Sequence, residues 1–241
     1  MLNKIIKKYK SDGLFPLIKS IFYWTSKIYL LDKIPAYICW PFYLTKEIEF
    51  EYNKKNYKCF FHPYNKTWTN ERMIEIPIMR EVLKNSKPEQ TLEIGNVMSH
   101  YTKINHRILD LYEKGKNVIN QDAANISGMN NEFNLIFSIS TMEHIGWDCG
   151  EIKDQNKIIL AIESIKKCLK QDGFFIFSVP IGYNQYLDEL LRSDYFEHVD
   201  FIERLENRKW IQTDKNQAFM HKFNSPFNAG NALAVIKIQK K

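Results

Sequence analysis

Thr91-Leu92-Glu93-Ile94-Gly95 opens the series of short apolar segments that decides how this chain folds. It reads as a strand that stops at a glycine. His106–Leu111 (HRILDL) follows as a second strand and Asn117–Gln121 (NVINQ) as a third, with Asp122 just after it. Phe133–Ser140 (FNLIFSIS) is a fourth. Asp154–Lys170 then places Ile158, Ile162, Ile165 and Leu169 on one helical stripe, with Glu163, Lys166, Lys167 and Lys170 on the wet face. Asp172-Gly173 ends that helix. Phe174–Val179 (FFIFSV) is a fifth strand, apolar enough to be central, and Pro180 closes it. Two late strands are expected near Val199–Leu205 and Leu233–Ile238. Strands alternating with helical segments specify an α/β, doubly wound, mostly parallel sheet. Ligands of such sheets sit beyond the carboxyl ends of the strands, where Gly95, Asp110 and Asp122 all fall.

Outward from this region, residues 70–241 form the α/β domain. Asn70 is placed to cap a helix carrying Ile74, Ile78 and Val82 on one face, and Pro77 is expected to kink that helix or delay its start. Residues 46–69 read as a β-hairpin and linker: Glu47–Tyr52, a turn at Asn53–Asn56, then the aromatic run Tyr57–His62. Residues 1–45 read as an arm of one or two amphipathic helices broken by Pro16, Pro35 and Pro41.

The chain has 241 residues and a net charge of +6. Residues 1–33 hold seven Lys and two Asp, a net +5, so the remaining 208 residues carry only +1. A nearly neutral body argues against a broad nucleic-acid surface, and no nucleic-acid partner is expected. The basic arm has two readings, a helical segment packed on the domain or an interfacial segment on an anionic membrane. No uncharged stretch approaches the ~20 residues of a spanning helix, and no signal peptide is expected. Cys39, Cys59, Cys149 and Cys168 form no C-x-x-C pair, so neither a disulfide framework nor a metal site is expected. Isolated cysteines suit a reducing compartment, which makes the expected location cytoplasmic, with the inner face of the membrane as the arm's possible contact.

Over Asn70–Lys240 the sequence resembles the class I S-adenosylmethionine-dependent methyltransferases of the small-molecule type. Leu92-Glu93-Ile94-Gly95 is similar to the family's first motif. Asp110 matches the acidic residue that binds the cofactor ribose, and Asp122 the acidic position near the adenine amino group. Ser138-Ile139-Ser140-Thr141-Met142-Glu143-His144 resembles the strand-four motif ending in Glu-His. The resemblance implies a Rossmann-like fold, S-adenosylmethionine as cofactor, and Glu93, Gly95, Asn96, Asp110, Asp122 and Ser138 as cofactor-binding residues. Chemistry supports part of this. A carboxylate offers two acceptor oxygens to two vicinal hydroxyls, and a glycine admits close backbone approach. The chain departs from the family in lacking two further glycines after Gly95. Only 15 residues separate Gly95 from Asp110, so the helix between the first two strands is expected to be short or absent. Lys114-Gly115-Lys116 reads as a turn rather than a helix.

Methyl transfer from a sulfonium needs mainly positioning, and a hydroxyl acceptor also needs a base. His144 is the candidate base by position; its other reading is a core histidine bonded to backbone. Glu143 is either a partner of the methionine amino group or a cap of the next segment. Trp147 and Asp148 follow in the same loop. Tyr183, Asn184 and the stretch Asn224-Ser225-Pro226-Phe227 are candidates for the acceptor site. The leading function is methyl transfer to a small-molecule, glycan or lipid-linked acceptor. A non-catalytic binding or scaffold protein with a degenerate methyltransferase fold is the alternative. A nucleotide-dependent oxidoreductase is disfavoured by the missing G-x-G-x-x-G.

Overall fold

The computed structural model describes residues 33–148 and 153–240. The expected helices of the arm before residue 33, and Cys149, lie outside the described residues. The chain divides into two compact units. The described part of the first comprises residues 33–46 and Phe61–Lys66; the second comprises Glu47–Phe60 and Thr67 onward. The hairpin therefore groups with the α/β domain, and the six residues after it group with the arm.

In the first unit, helix α1 spans Ile34–Leu44. Pro35 sits in its first turn, where a missing N–H costs nothing, and Pro41 lies inside it without ending it, contrary to the break expected at Pro41. Trp40 Nε1 donates to Phe61 O (2.8 Å), and the Tyr43 and Phe61 rings lie 5.7 Å apart.

In the second unit, β1 (Glu49–Tyr52) and β2 (Lys55–Lys58) pair antiparallel. The turn is the two residues Asn53 and Lys54, shorter than expected, with φ of 51° and 60°. That left-handed pair matches the right-handed twist of the strands. Tyr52 Oη donates to Asp200 Oδ2 at 2.7 Å, and Asn53 N to Gln212 Oε1 at 3.0 Å. The hairpin is thereby tied to the main sheet.

Helix α2 (Arg72–Leu83) runs straight through Pro77. A proline there leaves the carbonyl four residues earlier without its helical donor. That carbonyl belongs to Met73, and it accepts from Phe60 N at 2.8 Å. The chain leaving the hairpin thus supplies the bond that Pro77 removes. Asn70 Oδ1 accepts from Arg72 N (3.1 Å), as the cap expected from sequence.

The main sheet is built from β3 (Thr91–Ile94), β4 (Arg107–Leu109), β5 (Val118–Ile119), β6 (Phe133–Ile139), β7 (Leu169–Pro180), β8 (His198–Arg204), β9 (Trp210–Thr213) and β10 (Ala232–Gln239). Their order is β5-β4-β3-β6-β7-β10-β8-β9. The five strands from β5 to β7 are parallel, β10 is antiparallel to both its neighbours, and β9 returns antiparallel on β8. This is the mostly parallel, Rossmann-like sheet expected from the sequence.

Helix α3 (Asn156–Cys168) buries Ile158, Ile162 and Ile165 with Phe175, Phe177 and Val179 of β7. Ser178 alternates with those residues and bonds Glu75 of α2 (2.6 Å), so α2 covers the other face. Two details differ from the sequence reading. Helix α3 stops at Cys168 because Leu169 already pairs with Phe133. Asp172-Gly173 then lies in a bulge within β7 (Asp172 φ 61°), where the register jumps to Phe174 opposite Leu135. Helix α4 (Gln185–Arg192) and strand β9 were not anticipated.

Candidate cofactor and acceptor site

The carboxyl ends of β3, β4, β5 and β6 open onto a cavity of about 350 Å³. Gly95, Asp110, Asp122, Thr141 and His144 reach it, between the apolar walls Leu109, Leu111, Ala123 and Ile145. A larger hollow of about 600 Å³, lined by Lys166, Lys167 and Lys237, lies where α3 and β10 end and β8 begins. It contains none of Gly95, Asp110, Asp122 and His144.

Gly95 is fixed twice over. Its φ is +85°, and a Cβ there would stand 2.3 Å from Thr141 Oγ1. No helix follows it before β4, only a single 3-10 turn at Met98–His100, as the short spacing implied. The loop is held by carboxylates instead. Glu93 is fully buried. Its Oε1 accepts from Val97 N (2.9 Å) and Met98 N (2.8 Å), and its Oε2 meets His106 Nε2 at 2.9 Å. Both oxygens are spent on the frame, and Glu93 does not line the cavity. Asn96 gives its amide to Asp110 Oδ2 (3.1 Å) and its side chain to Glu113 Oε2 (2.6 Å). Ser138 is also buried and donates to Ile94 O at 2.8 Å, stitching β6 to β3.

Asp110 Oδ1 accepts from Tyr112 N (2.8 Å) and Glu113 N (2.7 Å), while Oδ2 takes the one bond from Asn96. Asp122 caps the next turn through Ala124 N (2.9 Å) and pairs with Lys157 Nζ at 3.1 Å. Lys157 stands at the start of α3 and was missed by the sequence reading, since a lysine at a helix start is ordinarily solvated.

On the other side of the cavity, His144 Nδ1 is hydrogen-bonded to Asp148 Oδ2, to which Tyr183 Oη also donates. Tyr183 Oη is 3.1 Å from His144 Nδ1, and the two rings meet edge to face at 4.9 Å. Burial and the Asp148 carboxylate push the Tyr183 phenol up from its ordinary value, so it stays a donor. With Asp148 on Nδ1, the proton of neutral His144 belongs on Nδ1 and Nε2 carries the free lone pair. Nε2 lies 3.7 Å from Glu143 Oε1. His144 is therefore a half-exposed residue of the site and not a core histidine.

Glu143 is buried, and its Oε2 has no hydrogen-bond partner. Burial pushes its carboxyl well above the usual carboxylate range. Asn184 serves the frame: Nδ2 donates to Glu143 O (2.8 Å), and Oδ1 caps α4 through Tyr186 N and Leu187 N. In the segment before β10, Phe223 meets Tyr183 edge to face at 4.9 Å. Phe227 lies under the Arg204 guanidinium instead. Trp147 packs on Tyr186.

Beneath this loop lies a buried ionic group that the sequence reading missed. Glu75 accepts from Ser140 Oγ and Ser178 Oγ, both at 2.6 Å, and pairs with Arg72. Burial alone would lower the Arg72 guanidinium, but the Glu75 carboxylate beside it outweighs that and holds it charged above its ordinary range. The signal in the sequence was a charged residue on the apolar side of α2.

Among the described residues, no three His, Cys, Asp or Glu side chains converge as metal ligands, and no helix is long and apolar enough to cross a membrane.

No family model matches the chain, and no curated protein matches it by sequence. Solved structures similar to it include S-adenosylmethionine-dependent methyltransferases. One from Archaeoglobus fulgidus is 15% identical, with 69% of this chain and 93% of that chain covered and a TM-score of 0.44. One from Thermotoga maritima, described as a possible histamine N-methyltransferase, is 15% identical over 68% of this chain and 87% of that chain, with a TM-score of 0.40. A TehB-like one from Corynebacterium glutamicum is 15% identical over 68% and 86%, with a TM-score of 0.37. At this identity and these scores the matches leave the acceptor open. The Rossmann-like sheet stands on the strand order itself.

Proposed function

We propose that this protein transfers a methyl group from S-adenosylmethionine to a small-molecule, glycan or lipid-linked acceptor, working in the cytoplasm at the inner face of the membrane. The observation that carries the reading is one cavity at the strand ends shared by Gly95, Asp110, Asp122 and His144. The donor set suits the cofactor. Among the described residues Asp110 Oδ2 takes one bond, from Asn96 N, which leaves acceptor capacity for a ribose hydroxyl, and Leu109, Leu111, Ala123 and Ile145 offer apolar walls to a purine. When bound, S-adenosylmethionine supplies a methyl group on an already activated sulfonium.

The chain's own part is to orient the acceptor and take its proton. For a hydroxyl acceptor, His144 Nε2 accepts the proton while Asp148 holds Nδ1–H and stabilises the imidazolium that forms. Tyr183 Oη fixes Asp148 in place. The test is formation of S-adenosylhomocysteine when the purified protein meets S-adenosylmethionine in a lysate of its own cells. His144→Ala is expected to lower kcat by ~10²–10⁴ with cofactor affinity nearly intact. An unchanged kcat in a folded variant removes His144 from the mechanism.

A second reading is a binding protein that no longer transfers methyl groups. One observation favours it: Asp110 and Asp122 already spend much of their acceptor capacity on the chain's own amides and Lys157. Cofactor binding without any S-adenosylhomocysteine formed would support it.

A further inference from the structure

Helix α1 reads IPAYICWPFYL and carries no charged residue in its 11 positions. One side, with Ala36 buried and Trp40 and Tyr43 on Phe61 and His62, is occupied by its own unit. The other side is not. Ile34, Ile38 and Phe42 recur every four residues, with Tyr37 beside them and Leu44 at the end, and all five are exposed; Ile38 and Phe42 are 71% and 64% exposed. A helix apolar all round is ordinarily buried in protein or in lipid. At ~1.5 Å per residue an 11-residue helix is far too short to cross a hydrocarbon core, so lipid contact means lying in the interface.

The charge beside this face selects the surface. Residues 1–33, immediately before α1, carry a net +5 by sequence, and Lys46 just after it rests its Nζ 4.6 Å from the Phe42 ring. Aromatic rings, apolar side chains and flanking lysines are the composition of an interfacial helix on anionic lipid. We propose that the Ile34–Tyr37–Ile38–Phe42–Leu44 face of α1 docks on an anionic membrane surface, its lysine-rich flank bound to the lipid headgroups. The inference does not rest on methyl transfer.

The test is flotation of the full chain with vesicles of phosphatidylcholine containing phosphatidylglycerol, against pure phosphatidylcholine vesicles. The chain is expected to float with the anionic vesicles at low salt, less at high salt because the charges are screened, and little with the neutral ones. Ile38→Asp and Phe42→Asp are each expected to weaken binding ~10–100-fold, the worth of one large apolar side chain left unburied. Tm and S-adenosylmethionine binding should stay unchanged in both variants. Wild-type protein that ignores anionic vesicles overturns the proposal, as do variants that bind like wild type. A lower Tm in the variants shows that the chain itself covers this face. A wild-type dimer that the variants split without any vesicles shows that a second copy covers it. Either result overturns the lipid assignment.

Discussion

Between β3 and β5 the strand ends are joined by loops holding no more than a 3-10 turn, whereas the connections from β6 to β8 each carry a helix, α3 and then α4. On the first side, carboxylates do the work of the missing helices. Glu93 clamps the loop after Gly95, Asp110 the turn after β4, and Asp122 the turn after β5. On the second side the frame comes from helix caps and a buried ionic group. His144 and Asp148 at the cavity wall are then left to bond each other and Tyr183. A strand-end crevice can thus lose its helices and keep its shape, provided its acidic residues are diverted into holding loops. The side that keeps its helices can spend polar side chains on proton chemistry.

Breaking the second frame should cost most. Glu75→Ala leaves the Arg72 guanidinium buried without its main partner and strips two serine hydroxyls of an acceptor. A loss of about 3–5 kcal/mol is expected in denaturant unfolding. A loss below 1 kcal/mol would mean that this group does not hold the Ser140 turn.

On the first side, Gly95→Ala combines a left-handed φ with a Cβ 2.3 Å from Thr141 Oγ1. It should destabilise by about 1–3 kcal/mol or more. Adding Thr141→Ala removes the two nearest contacts but leaves the Cβ of residue 141 at 2.9 Å and the φ strain, so recovery should be partial. Full recovery would assign the whole effect to the clash.

The smallest expected effect is a pH slope. Asp188, just inside α4, accepts from Gly182 N at 3.0 Å, and burial nonetheless pushes its carboxyl up to about 6. A folded pKa above the unfolded one stabilises the protein at low pH, and the stabilisation fades as pH rises from about 4 through about 6. Asp188→Asn should flatten the stability curve over that window, by ~1–2 kcal/mol between its ends. Curves of equal slope would show that Asp188 titrates normally.

What the sequence disclosed follows the same divide. Gly95, Asp110 and Asp122 could be located because each follows an apolar strand, whereas the Glu143-His144 pair was singled out by its resemblance to a family motif. The missing helix after Gly95 was legible as a spacing. Helix α4 was not, since eight residues give only Leu187 and Leu191 as a stripe, and the four-residue β9 lies in a charged stretch. That α2 survives Pro77 depends on Phe60 donating from outside the helix, and no local rule contains that bond. The roles of Glu93 and Ser138 depend on which way a buried side chain turns, and motif position is silent about that. Glu75 stands on the apolar side of α2 in the sequence, but its partners Ser140 and Ser178 lie 65 and 103 residues away, and local pattern does not bring them together.

The central claim is that the strand-end cavity binds S-adenosylmethionine through Asp110. Calorimetric titration of the full chain with S-adenosylmethionine and S-adenosylhomocysteine tests it most directly. Saturable binding is expected, weakened ~10–100-fold by Asp110→Ala, the scale of a charge-assisted hydrogen bond. No heat of binding from either ligand at millimolar concentration, or equal affinity in a folded Asp110→Ala variant, would contradict the claim.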